Sequence, residues 1–151
     1  PELTVGASGL KQVRSNFAVE ITNEDTLEID RLRIVISGRG SFTECDLTVK
    51  ARYLDLSAYG SNVGDHRLTG KTGTLKIVSE GLTSIDAADL ISDKVVYHQW
   101  SVNPGYVNAV RTLNVEMKSS GNVYYRGNPK TDIEFAEPNY KVELGDVIET
   151  P

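Results

Sequence analysis

The sequence predicts an all-β chain wound as a single-stranded parallel β-helix, a β-solenoid of about six or seven rungs closed by an irregular C-terminal cap. Three observations carry this reading. Short runs alternate aliphatic with polar residues at period two, the mark of a half-buried strand: Phe17-Ala18-Val19-Glu20-Ile21, Leu32-Arg33-Ile34-Val35-Ile36, Leu54-Asp55-Leu56, Leu75-Lys76-Ile77 and Leu113-Asn114-Val115. The runs recur: Leu32, Leu54 and Leu75 lie 22 and 21 residues apart, and Val95 and Leu113 follow after 20 and 18. Small turns recur with them, at Ser37-Gly38, Tyr59-Gly60, Glu80-Gly81 and Ser120-Gly121.

Taken in order, the elements form a repeated unit of strand, glycine turn, short strand and a third strand such as Leu47-Thr48-Val49. Leu3-Thr4-Val5 with Ser8-Gly9 reads as a first member. The shorter strands after the turns carry Phe42, Val63, Ile85 and Val123. Thr83 to Ser92 is the one stretch whose apolar spacing admits two or three helical turns. A repeat near 20 residues cannot bury its own apolar face and must stack on its neighbours. Stacked corners need φ > 0 at the same place in each turn, which favours the solenoid; a β-sandwich of hairpin-linked strands is the competing arrangement. From Lys130 the chain turns acidic and lacks a Ser-Gly turn, although Ile133-Glu134-Phe135 and Tyr140-Lys141-Val142-Glu143-Leu144 still alternate. Residues 1–129 therefore read as the β-helix and residues 130–151 as its cap.

Composition bounds the function. The 151 residues suit one domain, and 39% hydrophobic with 25% charged residues is a globular balance. Sixteen basic against twenty-one acidic residues give a net charge of −5, with no basic footprint for nucleic acid. One cysteine, Cys45, excludes an internal disulfide and a multi-cysteine metal site. No apolar run approaches the roughly 18 residues of a helical membrane span.

The run Ser120-Gly121-Asn122-Val123-Tyr124-Tyr125-Arg126-Gly127-Asn128-Pro129 resembles the closing motif of the auto-transporter adhesin, head GIN domain family. This family of unknown function is common among exported and lipid-anchored proteins of Bacteroidetes. Its rungs of the form Leu-x-Leu-Ser-Gly-Ser-Gly are similar to Leu54-Asp55-Leu56-Ser57-Ala58-Tyr59-Gly60 and to Ile34-Val35-Ile36-Ser37-Gly38-Arg39-Gly40. The opening Pro1-Glu2-Leu3-Thr4-Val5-Gly6-Ala7-Ser8-Gly9 resembles the strand that begins the family's solenoid. The likeness runs from residue 1 to about residue 130. It departs at Tyr97-His98-Gln99-Trp100, which lacks the glycine turn, and at Thr83 to Ser92. The resemblance implies a right-handed β-helix, export, a lipid anchor supplied by a segment outside this chain, and surface adhesion. It implies no catalytic residues.

Several constellations could carry chemistry. Asp46, Asp55, Asp65, Asp86, Asp89 and Asp93 could supply a carboxylate pair for glycoside cleavage, which needs two carboxyls about 5–10 Å apart across a sugar. Turn formation and surface charge are the simpler reading of aspartates beside Gly, Ser and Asn. The calcium-binding Gly-Gly-x-Gly-x-Asp repeat is absent. His66 and His98 with Cys45 could form a nucleophile and base if brought together, but Glu44 and Asp46 would raise the thiol pKa. Gly70-Lys71-Thr72 is a chance match to a phosphate loop, since no helix follows it.

Aromatic residues are the candidate binding set. Tyr97, Trp100 and Tyr106 fall within ten residues, and Tyr124 lies one rung further on. Stacked rungs can align such rings into a strip for sugars or proteins, while alternation would turn some of them into the core. The expectation is a non-catalytic, exported surface-recognition module without cofactor or metal, binding a glycan or an extracellular protein through a sheet face, with a homo-oligomer also open to it. The rivals are a polysaccharide-acting enzyme and a self-assembling scaffold.

Overall fold

A computed structural model describes residues 2–38, 42–137 and 142–151 of the chain. It is all-β: β1 (Gln12–Ser15), β2 (Val19–Thr22), β3 (Leu27–Ser37), β4 (Thr43–Tyr59), β5 (Val63–Ser101), β6 (Gly105–Met117), β7 (Val123–Arg126), β8 (Lys130–Phe135) and β9 (Val147–Glu149). Each ladder between successive strands is parallel. The stack makes a β-solenoid of about six turns, and the sandwich alternative falls away because hairpins would make the ladders antiparallel.

The predicted anchors are register partners. Leu32 faces Leu54, Leu54 faces Leu75, and Val95 faces Leu113. The shorter strands line up as well: Phe42 bridges Val63, Ile85 faces Gly105, and Gly105 faces Val123. Straight, the 39 residues of β5 would reach about 130 Å at roughly 3.3 Å per residue. The strand instead coils back on itself, so that Ser84 hydrogen-bonds Asp65 and Arg67 lies 4.0 Å from Asp89 within the one strand. One side of the coil carries β1, the Leu32–Ser37, Leu54–Tyr59, Val95–Ser101 and Leu113–Met117 segments, and β8. The second side carries β2, the starts of β4, β5 and β6, then β7 and β9.

Inward residues form columns: Ile34, Leu56, Ile77, Tyr97 and Val115 belong to one continuous apolar core. The corner after the first side is a pile of close backbones. Gly81 has φ +75°, and a Cβ there would stand 2.5 Å from the Gly60 carbonyl oxygen, so only glycine fits. The turn that lacks glycine is held by a serine instead. Buried Ser101 shares its one hydroxyl proton between the carbonyls of Gly81 and Thr83, at 3.0 and 2.7 Å, and accepts the backbone N–H of Thr83 and of Asn103.

Three expectations change. Thr83–Ser92 is strand within β5, not helix. Ile85, Ala87, Leu90 and Ser92 all point inward, and register shifts between Ala87 and Ile91 and between Ser92 and Lys94 break the alternation, which erases the period of two that marks a strand. Leu3-Thr4-Val5 is not a strand; Leu3 and Val5 are exposed, and among the described residues no turn lies beside them to pair with. The cap is built by prolonging the ladders. β8 pairs with β6, β9 pairs with β7, and Gly145 packs beneath Gly121 at the glycine corner. The strand expected over Tyr140–Leu144 is not formed at residues 142–144, while Tyr140 and Lys141 lie outside the described residues, as do Pro1, Arg39 and Gly40.

Candidate functional site

The second side places outward residues of successive turns one above the next, about 4.8 Å apart. Glu20 faces Glu44, Thr22 faces Asp46, and one turn on come Asp65 and Arg67. Asp86 faces Tyr106, and Tyr106 faces Tyr124. An open concavity of 490 Å³ lies along this column. Its walls include Glu20, Glu44, Asp46, Asp65, Asp86 and Tyr106, and buried Cys45, His66 and Ile85 form its floor.

Of the four candidate aromatics, two come together here. Tyr106 and Tyr124 stack with ring centroids 5.0 Å apart and planes 13° apart, and Tyr106 is 39% exposed. Asn122 fixes the second ring by donating its amide to the Tyr124 hydroxyl at 3.1 Å. Trp100 belongs to a different group, at the end of the first side. Its indole N–H donates to Glu116 Oε2 at 3.2 Å, and Lys118 Nζ sits 4.7 Å from its ring centroid. Lys118 also pairs with Glu116 Oε1 at 2.8 Å, and His98 Nδ1 contacts Oε2 at 2.7 Å. Hydrogen bonds from Lys118 and then His98 hold the Glu116 carboxyl below the ordinary carboxylate range. Four side chains thus lock one another in place.

Tyr97 leaves the surface set. Alternation turns it inward, and it is fully buried with its hydroxyl against Gly105, where a Cβ would lie only 1.9 Å away. Burial raises its phenol pKa, partly offset by Ser79. A single strip over Tyr97, Trp100, Tyr106 and Tyr124 does not form, because these positions divide between the interior and two different sides.

Asp46 faces Arg67 in register, and the other five candidate aspartates are engaged in local contacts. Buried Asp55 lies 3.5 Å from Arg33 and accepts the Ser57 hydroxyl at 2.6 Å. Asp65 accepts the Ser84 hydroxyl, and Asp86 accepts the Ala88 backbone N–H at 3.2 Å. Asp89 lies near Arg67 and Arg126, and Asp93 lies 3.8 Å from Arg111. Cys45 and His66 are register partners on adjacent strands, while His98 is elsewhere. Burial, with Asp46 beside it, pushes the Cys45 thiol up to about 12, so almost no thiolate exists near neutrality. Burial also lowers His66 to about 4 against the contrary pull of Asp65. Among the described residues no group of three or more His, Cys, Asp or Glu is placed to hold a metal ion. Gly70, Lys71 and Thr72 lie inside β5 on Val49, Lys50 and Ala51, with no loop to cradle a phosphate.

Sequence reasoning missed Glu20 and Glu44 as parts of a site. A signal existed: Glu44 and Asp65 are 21 residues apart, the same step that joins Leu47 to Leu68.

A solenoid with an outward aromatic pair beside an open acidic concavity is a surface-recognition architecture in its general form. The sequence profile described as "Putative auto-transporter adhesin, head GIN domain" matches residues 2–129, and the chain belongs to that family. No curated protein and no solved structure matches the chain. Among the described residues no helix is long and apolar enough to cross a membrane.

Proposed function

We propose that the chain is an exported, non-catalytic recognition module that binds an extracellular ligand, glycan or protein, through the second side of its solenoid. The observation that carries this reading is the Tyr106–Tyr124 stack at one end of the concavity. A flat ring beside hydrogen-bonding carboxylates suits both a sugar face and a peptide side chain. Family membership supports the adhesive role, and the fold by itself does not fix a function.

The non-catalytic reading is supported by the aspartates' existing partners and by the high thiol pKa of Cys45. Arrays of mucin-type glycans, envelope polysaccharides and matrix proteins test the proposal, run with wild type, Tyr106→Ala and Trp100→Ala. Saturable binding lost with Tyr106→Ala and kept with Trp100→Ala is expected. Turnover of any polysaccharide that Asp65→Asn or Asp86→Asn abolishes would move the chain to the enzyme class.

A further inference from the structure

One outward column of the second side changes height abruptly. Asp46 faces Arg67, Asp86 faces Tyr106, and Tyr106 faces Tyr124. Ser84 hydrogen-bonds Asp65 a turn away, so two residues further along the same segments Asp86 stands a turn from Arg67. The column therefore runs Arg67, Asp86, Tyr106, Tyr124, with one short side chain between long ones. Rungs lie about 4.8 Å apart, which makes the notch over Asp86 roughly 10 Å from the Arg67 rung to the Tyr106 rung. Arg67 leans sideways toward Asp89, at 4.0 Å.

The aromatic pair gives the notch a flat wall. Parallel rings lying edge to edge could not bring their centroids to 5.0 Å, so Tyr106 and Tyr124 overlap face to face. Tyr124 covers the Tyr106 face that looks toward the C-terminal turns. The other face looks over Asp86, and of the two rings Tyr106 is the one that lines the concavity. Pro104 lines the same end, and buried Ile85 lies in its floor. The 490 Å³ falls within the about 300–1,000 Å³ usual for small-ligand sites. Hydrogen-bonding groups meet the ring at its base. Asp86 accepts the Ala88 backbone N–H through Oδ1, and among the described residues its Oδ2 accepts no hydrogen bond.

We propose that this notch is a subsite for one pyranose unit of an uncharged glycan, its C–H face on the open face of Tyr106 and its hydroxyl rim on Asp86 and the Ser84–Asp65 pair. This rests on the reading of the second side as the recognition surface and names its ligand. A sugar ring has an apolar face bordered by hydroxyls, and the notch has an apolar wall bordered by acceptors. An apolar protein side chain would match the Tyr106 face but cover the Asp86 carboxylate without giving it a donor. Sugar hydroxyls donate to that carboxylate while it stays ionised. Charge narrows the glycan further. Glu44, Asp46, Asp65 and Asp86 line the concavity against Arg67, so uronic and sialic acids are repelled.

The test is saturation-transfer NMR with cellohexaose, xylohexaose, mannohexaose, maltohexaose and the hexamer of N-acetylglucosamine, with hexagalacturonate as the acidic comparison. At least one neutral oligomer should bind saturably, with transfer strongest at the axial ring protons of one sugar face. Tyr106→Ala should weaken that binding about tenfold and Tyr106→Phe by less than about twofold, because the ring face makes the contact. Tyr106 and Asp86 are exposed, and thermal melts verify folding of each variant. Asp86→Asn should weaken the neutral oligomer and leave hexagalacturonate bound no worse than before. No neutral oligomer bound, tighter binding of hexagalacturonate, or wild-type binding by Tyr106→Ala would overturn the proposal. The matrix-protein array separates the two failures. Protein hits that need Tyr106, with no neutral oligomer bound, sink the sugar subsite and keep the recognition surface. Hits of either kind that ignore Tyr106, or no hit at all, sink both.

Discussion

In the stretch that links the two sides, Glu28 meets Lys50 and Asp30 meets Arg52 one turn on. Across the corner, Glu20 meets Glu44 in the same parallel register. Geometry is common to both places, so the difference lies in residue choice alone. A solenoid sets each outward residue beside its counterpart a turn away, and the coil amplifies whatever sign the repeat carries. Opposite signs make that stacking favourable by a small amount; Glu20 on Glu44, like Lys50 on Lys71 and Glu116 on Glu134, spends stability on like signs. The aromatic end of the second side differs again, since Tyr106 and Tyr124 follow Asp86 in the neighbouring column without charge.

The largest effect should come from breaking the frame that both columns share. Leu54 is fully buried between Leu32 and Leu75, so Leu54→Ala should cost about 2–5 kcal/mol in denaturant unfolding and abolish the contrast by melting both. Next is Gly105→Ala, beneath the tyrosine stack. The new methyl would meet the Tyr97 ring, and a loss of about 1–3 kcal/mol is expected. Replacing Tyr97 by a smaller aliphatic residue in that background should recover part of it, and failure to do so would show that the clash is not with the ring.

Acid sharpens the comparison from below the ladder. His66 has a folded pKa of about 4 against an ordinary value of 6.5, so the unfolded chain binds the extra proton first. Stability is therefore complete above pH 6.5 and drains away as the pH falls toward 4. A His66→Leu variant should flatten that slope in melts across the window, whereas an unchanged slope would assign acid sensitivity to the carboxylates. Glu116 acts in the same direction, its contribution being lost as the pH falls through its depressed folded value.

Smallest are the outward charges themselves. Arg52→Ala should lower stability, and Glu44→Gln raise it, each by about 0–1 kcal/mol. Opposite signs for the two, read in one series of melts, are what the comparison requires.

Most of the fold was legible because in a coil the sequence period is itself the contact. Leu32, Leu54, Leu75, Val95 and Leu113 could be aligned by counting, and the ladders join them as counted, the Leu75 to Val95 step lying within β5. Where alternation slips, counting misleads. The irregular register after Ala87 put Leu90 and Ser92 onto the buried face and erased the strand's period of two. The site was only half legible. Tyr106 and Tyr124, 18 residues apart, stand together as their spacing requires. Tyr97 and Trp100 are three apart, and strand parity sends them to opposite faces. The stacking of acidic residues was visible in the 21-residue step from Glu44 to Asp65, but aspartates sought as catalytic pairs do not reveal a stack of mixed Glu and Asp.

Strand contacts run mainly between successive layers of the pile, and among the described residues no ladder joins the first turn to the last. Such a chain frays like a coil spring. Amide hydrogen exchange should be fastest at β1, β2 and β9 and slowest in the Leu54–Leu75 layers, in a graded profile and not a single cooperative block. The concavity of the second side begins at Glu20 in the fraying turns and runs into the better protected ones. One edge of its groove is therefore loose and the other firm, and a partner gripping both would splint the loose end against the firm one.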